Sequence, residues 1–457
     1  MSKLTERLGA LPPARLRGIR RGIEKESLRA LPDGKLALTP HPSALGSALT
    51  HPHITTDFSE SQLELITGVH ASPEAALDEL VQVHQHTYRV LAAAGDERMW
   101  VSSMPCGLPT DETIPIGRYG SSNVGRAKSV YRMGLSHRYG RRMQTISGIH
   151  YNWSLPEVSS EQYFALIRNF RRHAFLLLYL FGASPALCST FVAGRPHTLQ
   201  PLGNGTMYMP HGTSLRMGPL GYQSEAQASL AVSYNSLEGY GASLQDALTR
   251  PWPAYEAIGI QNLGGDYNQL ATSLLQIENE FYGTIRPKRV IYPGEHNQHL
   301  TAARGREPGL QLQRNGREVA LTAWGAELVA QCAPIAAALD ATHGGSQYGD
   351  AVRAAALALE QPEGLPSARV LAAMAAEHDN SFVSFVRAQS AQARGALLDL
   401  PFSAEQSTRF DAMTQQSIEE QKRIEAADTL PFEIYREQYV SPARLGVGAR
   451  GRLPVAA

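Results

Sequence analysis

The chain has 457 residues, enough for two or three domains or for one large enzyme domain. Lys+Arg and Asp+Glu each number 42, and this balance argues against a dedicated nucleic-acid or polyanion binder. The three cysteines, Cys106, Cys188 and Cys332, lie far apart, which excludes a disulfide framework and a zinc ribbon and suits a reducing cytoplasm.

Apolar segments of membrane-spanning length are missing from the sequence. The first thirty residues contain no apolar run of signal-peptide length. The longest apolar run, 174–181, is too short to cross a bilayer. We therefore expect a cytoplasmic protein that works without a membrane or a nucleic acid.

The first predicted strand, 20–28, carries Glu24 and Glu26. Side chains alternate along a strand, so both carboxylates leave the same face. A single pair of this kind is most often a solvated surface, because adjacent like charges are unfavourable without a cation between them. Residues 32–34 (Pro-Asp-Gly) then predict a turn into a second short strand, 35–39.

A second acid-bearing segment is 53–67. Its first half is predicted to be a loop that presents Asp57. Its second half alternates, with Gln62 and Glu64 on one face and leucines on the other, which predicts a strand.

A helix is predicted over 72–94. Ser72 fits the N-cap, Pro73 fits the first helical position, and an apolar stripe runs along the segment. His84 belongs to that stripe and is expected to be a packed histidine.

The strand predicted over 144–155 has polar or small residues at its even positions and, from Ile149 onward, large apolar residues at its odd positions. Core packing accounts for the odd set. It does not account for His150 in the middle of the even set.

The remaining pattern predicts helices over 128–138, 159–181 and 226–247 and a fourth alternating strand over 276–282. After Pro308 the sequence becomes rich in alanine, and Ser403 with Gln406 forms a capping box for the last long helix. We expect an α+β fold, with a sheet-containing catalytic region over 1–310 and a helical C-terminal portion over 311–457 packed on the same domain.

The chemistry suggested by these segments is that of a metal site. Carboxylates and an imidazole on strands or strand ends suit magnesium, with manganese as an alternative. The donors are Glu24, Glu26, Asp57, Glu64 and His150, and the cations that could clamp phosphate or carboxylate groups are Arg132, Arg216, Arg286 and Lys288. No P-loop motif occurs, and the G-x-G-x-x-G at 446–451 lacks a preceding strand. The competing interpretation is a merely polar sheet face.

At these residues the sequence resembles the proteobacterial type of glutamate–cysteine ligase, also called γ-glutamylcysteine synthetase. The matching segments appear in the family's order: 21–29 (RGIEKESLR), 46–51, 54–67 (ITTDFSESQLELIT), 95–100, 143–156 (MQTISGIHYNWSLP), 179–186, 275–280 (LQIENE) and 285–289 (IRPKR).

The resemblance implies that ATP phosphorylates the γ-carboxylate of glutamate and that the cysteine amine displaces phosphate. It also implies a monomer with a glutamine-synthetase-like antiparallel sheet that forms a funnel-shaped site. The five donors above take the magnesium-ligand roles, Arg216 with Arg132 the catalytic roles, and Arg286 and Lys288 the nucleotide contacts. The substrate walls are Phe58, Tyr131, Leu135, Gln144, Ile146, Arg216, Tyr222 and Tyr282.

One departure from the family lies after Arg289, where 290–298 replaces several dozen residues that include a strand of the form glutamate–X–arginine. The missing strand carries a metal-ligand glutamate, and Glu295 near the junction does not match its motif. Three alternatives stay open: a working ligase for cysteine or another amine, a catalytically impaired homologue that binds nucleotide or amino acid, and an unrelated metal-dependent hydrolase.

Overall fold

A computed structural model describes residues 17–156, 158–217, 220, 224–258, 272–277, 280–281, 285–288, 309–312 and 365–435. Within these ranges no helix has both the length and the apolar character that a membrane crossing requires.

The main sheet has seven strands and is antiparallel throughout. Its order is β2-β3-β1-β5-β10-β9, with β4 paired to the end of β1. The strands are β1 (Arg20–Ala30), β2 (Ile54–Thr56), β3 (Gln62–Ile66), β4 (Arg98–Met99), β5 (Ile149–Ser154), β9 (Ile285–Lys288) and β10 (Gly309–Leu312). A second sheet of three strands has the order β6-β8-β7, with β6 (Ala186–Cys188), β7 (Gln200–Gly203) and β8 (Thr206–Tyr208).

Helices surround and connect these sheets. Those before residue 260 are α1 (Pro73–Ala94), α2 (Asn123–Tyr139), α3 (Arg141–Gln144), α4 (Ser160–His173), α5 (Phe175–Phe181), α6 (Ser189–Val192), α7 (Glu225–Ala228), α8 (Leu237–Thr249) and α9 (Pro253–Ile258). Near the C-terminus follow α10 (Pro366–Glu377), α11 (Phe382–Asp399), α12 (Ala404–Ala427) and α13 (Phe432–Tyr435). The predicted α+β fold with an antiparallel sheet is confirmed.

The position of α1 fixes which face of the sheet is core. Ser72 caps this helix by accepting the backbone N–H of Ala75, and Pro73 occupies its first turn, as the sequence predicts. α1 packs on β1 and β3, where its apolar stripe shares one core cluster with Leu63 and Leu65. The acids of β1 and β3 therefore occupy the opposite face.

The strand predicted over 144–155 is shorter than expected. Residues 141–144 form α3 and 145–148 a loop, so only Ile149–Ser154 pairs as β5. The alternation is real, but the buried face is the other one: Asn152 is buried, whereas Ile149 is 55% exposed and Tyr151 37%. Interpreting the apolar set as core was wrong for Ile149 and Tyr151, because the polar set faces the crowded acid side of the sheet, whereas Trp153 does pack against a core cluster.

The strand predicted over 276–282 is also wrong in its described part. The Glu280 carboxylate accepts the backbone N–H of Gln276 at 2.6 Å, and Glu280 N–H bonds to Ile277 O at 3.1 Å. These bonds fold the segment into a turn, and Arg138 pairs with the buried carboxylate at 3.1 Å.

Three other predicted elements need smaller corrections. The helix over 159–181 is interrupted at Ala174 between α4 and α5. The helix over 226–247 splits because Ser236 caps a new helix through Gly239 N–H. The strand over 35–39 reduces to one bridge between Leu36 and Ala30.

Candidate active site

Three adjacent strands bring two carboxylates and an imidazole together. β1 lies between β3 and β5, with Glu24 opposite His150 and Glu26 opposite Glu64. One ligand atom each from Glu24, Glu64 and His150 lies within 4.8 Å of the other two. Both carboxyl groups are 1% exposed, so the cluster is withdrawn from water.

Glu24 orients the imidazole. Its Oε2 lies 2.8 Å from His150 Nδ1, and its Oε1 accepts a hydrogen bond from Asn152 Nδ2 at 3.0 Å. A carboxylate only accepts hydrogen bonds, so the proton sits on Nδ1. Nε2 lies 3.9 Å from Glu26 Oε1, and with the proton on Nδ1 its lone pair is available to a metal ion, as in histidines that a carboxylate holds for metal binding.

Glu26 is buried among neighbouring carboxylates. Its Oε2 accepts hydrogen bonds from Gly148 N–H at 2.7 Å and from Gln62 Nε2 at 3.3 Å. Burial raises the pKa of Glu26 well above its usual range, and the carboxylates of Asp57 and Glu64 raise it further, against the lowering by Arg216 and the Gly148 bond. A divalent cation among these groups would remove the repulsion, so the residues present fit such an ion.

Asp57 approaches from the loop after β2. Its backbone carbonyl accepts hydrogen bonds from the Tyr119 hydroxyl, at 2.8 Å, and from Arg132 Nε. Its side chain is half-buried and close enough to Glu26 to raise that residue's pKa. Asp57 therefore stands at the edge of the cluster.

Arg216 borders the same acids from the short 3-10 helix Leu215–Met217. It is buried, and its guanidinium lies directly against Gly148, where a Cβ atom would overlap it. The absence of a side chain at Gly148 thus makes room for the Arg216 guanidinium. The backbone N–H of Gly148 also donates to Glu26 Oε2 at 2.7 Å.

One of the residues predicted to line the substrate site, Ile146, lies close to Glu26. Ile146 O accepts a hydrogen bond from Gln62 Nε2 at 3.3 Å, the same group that binds Glu26. Among the others, Phe58, Leu135 and Gln144 are buried and Tyr131 is half-buried. Their contact with substrate stays a prediction.

Of the other predicted residues, the structure describes two by their backbone only and two not at all. Tyr222 and Tyr282 lie outside the described residues. Arg286 and Lys288 belong to β9, where Arg286 pairs with Gln311 of β10, and Gln311 pairs with Asn152 of β5.

Sequence reasoning missed Asn152, Gly148 and Tyr119. Asn152 follows His150 on the same face, so the alternation itself would have found it. Gly148 matters because Arg216 lies against it, and Tyr119 because its hydroxyl donates to Asp57 O. No local sequence pattern indicates contacts between residues so far apart in the chain.

Comparison with known proteins places the chain in a family. A family model described as glutamate-cysteine ligase matches residues 10–307. A glutamate–cysteine ligase of Pseudomonas entomophila is 42% identical over an alignment of 497 residues, which covers 92% of this chain and 93% of the relative. That of Alcanivorax borkumensis is 40% identical over 526, with 96% and 99% covered.

The structural comparison agrees. The crystal structure of glutamate–cysteine ligase from Francisella tularensis in complex with AMP superposes with a TM-score of 0.83 at 30% identity, covering 93% of this chain and 98% of that one. Both sequence alignments are longer than this chain of 457 residues, so those relatives contain residues without a counterpart here. The chain belongs to the glutamate–cysteine ligase family of ATP-dependent ligases, which catalyse the first step of glutathione synthesis.

Proposed function

We propose that the cluster on β1, β3 and β5 is a divalent-cation site at which this chain joins the γ-carboxylate of glutamate to the amine of cysteine. The observation that carries the proposal is the approach of Glu24, Glu64 and His150 to within 4.8 Å of one another. Hard oxygen donors with one imidazole suit magnesium or manganese. Glu26 and Asp57 complete the proposed ligand set.

The cation, when bound, would neutralise the phosphate oxygens of ATP while the phosphoryl group moves to the γ-carboxylate. The protein's own residues keep this site in order. Glu24 fixes the protonated nitrogen of His150, and Asn152 fixes Glu24. Because the site is preorganised and largely closed to water, substrate positioning contributes a large share of the rate.

The cations and walls around the cluster provide the remaining contacts. Arg216, seated against Gly148, would clamp a substrate carboxylate, and Arg132 would support the Asp57 loop that it already binds. Arg286 and Lys288 would meet the nucleotide phosphates. The proposed amino-acid walls are Phe58, Tyr131, Leu135, Gln144, Ile146, Tyr222 and Tyr282.

Nucleotide binding has support from the Francisella relative, which was crystallised in complex with AMP. We further propose that the chain acts as a cytoplasmic monomer on small molecules. The equal numbers of basic and acidic residues, 42 each, support small-molecule substrates, since a formal net charge of zero favours neither nucleic acid nor an anionic surface.

The test is product formation by the full chain. ATP, magnesium, glutamate and cysteine are incubated with the protein, and ADP and the dipeptide are measured by mass spectrometry. We expect γ-glutamylcysteine from the wild type and a loss of about 100-fold or more for Glu26→Gln, since the site would lose a charge that faces the cation. No product above that of Glu26→Gln would refute the proposal.

A second candidate is a homologue that binds substrates but turns over poorly. Two observations favour it: the relatives contain residues without a counterpart here, and β10, the neighbour of β5, carries no acid in 309–312. Replacing cysteine by other small amines in the same assay separates a changed acceptor from lost turnover. Calorimetric binding of an ATP analogue without any product would support this candidate.

A further inference from the structure

Polar side chains on one stripe of α12 face the protein instead of solvent. They recur at spacings of four, four and three residues, which places them on one side of the helix and its C-cap. The stripe consists of Ser417, Gln421, Glu425 and Asp428. Two loops, 46–50 and 120–123, lie along it.

At the C-terminal end of the stripe, two carboxylates bind the start of α2 and the loop before it. Asp428 Oδ1 accepts a hydrogen bond from Asn123 Nδ2 at 2.6 Å, and Oδ2 accepts the Asn123 backbone N–H. Glu425 Oε1 accepts Ser121 N–H at 2.8 Å. Asn123 is the first residue of α2, so both carboxylates lie at the positive end of that helix, where negative charge is favourable.

The first turn of α2 in turn holds Tyr119. Gly125 packs directly against the Tyr119 carbonyl, where a Cβ atom would overlap it. Lys128 Nζ and Arg132 Cζ lie 4.6 and 4.5 Å from the centre of the Tyr119 ring. Tyr119 is 1% exposed and cannot move without moving this turn.

Tyr119 and Arg132 end this chain of contacts at the Asp57 backbone. The Tyr119 hydroxyl lies 2.8 Å from the carbonyl oxygens of both Thr56 and Asp57, and Arg132 Nε donates to Asp57 O. The position of the Asp57 loop therefore depends on the position of α2. The position of α2 depends in turn on its hydrogen bonds to Asp428 at the end of α12.

The N-terminal end of the stripe binds the loop 46–50, which precedes β2 and the Asp57 loop. Ser417 Oγ accepts Ser47 N–H at 3.0 Å, and Thr50 Oγ1 donates to Ser417 O at 2.5 Å. Thr55 Oγ1 then donates to Ala48 O at 2.6 Å, two residues before Asp57. Thr55 is thus connected to α12 through the loop 46–50, and the Asp57 carbonyl is connected to it through Tyr119 and α2. α12 lies beyond the residues 10–307 that the family model matches.

We propose that Asp428 is a positioning residue for the divalent-cation site: by fixing the first turn of α2 through Asn123, it holds the Asp57 loop against the cluster on β1, β3 and β5. The inference rests on the proposed role of Asp57 as a ligand. Groups that hydrogen-bond a metal ligand directly change metal affinity or activity by about 10–100-fold when they are replaced, and Asp428, which acts through α2 and Tyr119, is expected at the lower end of that range.

The test uses Asp428→Asn in the full chain. The substitution keeps the size of the side chain, removes its charge and turns one of its two acceptors into a donor, so that one of the two Asn123 donors loses its partner. We expect Mn²⁺ binding, titrated by electron paramagnetic resonance without substrates, to weaken by about 10-fold. The half-saturating Mg²⁺ concentration for dipeptide formation should rise by a similar factor, with little loss of melting temperature.

Asp411→Asn is the matched control, because it makes the same change at an exposed position of α12 and should keep the wild-type Mn²⁺ affinity. Asn123→Ala serves as a second variant if Asp428→Asn does not fold. It loses the side-chain bonds to Asp428 and to Leu430 O but keeps the backbone N–H bond, so a smaller weakening is expected.

The outcomes separate this inference from the proposed function. A folded variant that binds Mn²⁺ as tightly as the wild type would overturn the role of Asp428. A wild-type protein that binds no Mn²⁺ would instead overturn the proposed metal site itself.

Discussion

Glu24 is the residue at which the candidate site converges. It binds His150 and Asn152 from β5, and it lies near Glu64 from β3 because β1 is paired on both sides. The sequence predicted the acids and the imidazole from their alternation along separate segments. It could not predict that both carboxylate oxygens of Glu24 would form hydrogen bonds with β5, because the order of strands in a sheet depends on contacts that are distant in sequence.

Gly148 is the residue at which a single methyl group should disturb the site. A Cβ atom there would overlap the Arg216 guanidinium, while the backbone itself accepts any residue at this position. We expect Gly148→Ala to lower kcat/KM for glutamate by about 100-fold, because a displacement of Arg216 by roughly 1 Å is enough for such a loss. Steady-state kinetics at varied glutamate measures it.

Gly395→Ala is the control for this substitution. Gly395 lies in α11, and nothing is within 4 Å of a Cβ atom built there. This variant should keep wild-type kinetics and gain up to about 1 kcal/mol of stability, since alanine favours helices. Unchanged kinetics in Gly148→Ala as well would show that Arg216 does not act from this position.

At the scale of elements, periodicity predicted which segments form strands but not which face they bury. β5 alternates as expected, yet its buried residues are the polar ones, since its polar face meets the acids of β1. The pattern over 276–282 failed for a related reason. Glu280 is fully buried and bonds the backbone of its own turn, so its spacing from Gln276 mimics a strand.

The segment between the short 3-10 helix Ser43–Leu45 and β2 carries a histidine that folding keeps neutral. Burial lowers the pKa of His51 to about 3, and the nearby His53, His86 and His41 add to this effect. His51 Nδ1 accepts the backbone N–H groups of His53 and Ile54, so protonating it would break both bonds.

The consequence is a loss of stability in acid. The unfolded chain takes up a proton near the ordinary pKa of 6.5, whereas the folded chain does so only near pH 3. His51 therefore contributes stability that is complete above pH 6.5 and is lost as the pH falls toward 3. We expect one such group to reduce the free energy of unfolding by about 1.4 kcal/mol per pH unit in that window.

Urea unfolding of wild type and His51→Asn between pH 7.5 and 5 measures this contribution. Asparagine can still accept the two N–H groups but does not titrate, so its stability should fall less steeply. His197→Asn, at an exposed position, should follow the wild type. Equal slopes for His51→Asn and the wild type would contradict the assignment.

At the scale of the whole molecule, the C-terminal helices complete cores that the sheet begins. Phe410 of α12 is fully buried with Leu63 and Leu65 of β3, and Phe382 of α11 shares a core with Leu28 of β1. The sequence predicted α12 and its capping box from local residues. It could not predict where α12 docks, because its partners lie more than 300 residues away. A division of the chain after residue 310 remains a prediction.

We propose that Glu24, Glu64 and His150 together hold a divalent cation for ligation. Crystals soaked in Mn²⁺, with data collected at the manganese absorption edge, would show whether they do. We expect an anomalous peak in bonding distance of all three side chains, and its loss in His150→Asn. A peak elsewhere, or none in a crystal whose protein forms γ-glutamylcysteine, would contradict this assignment.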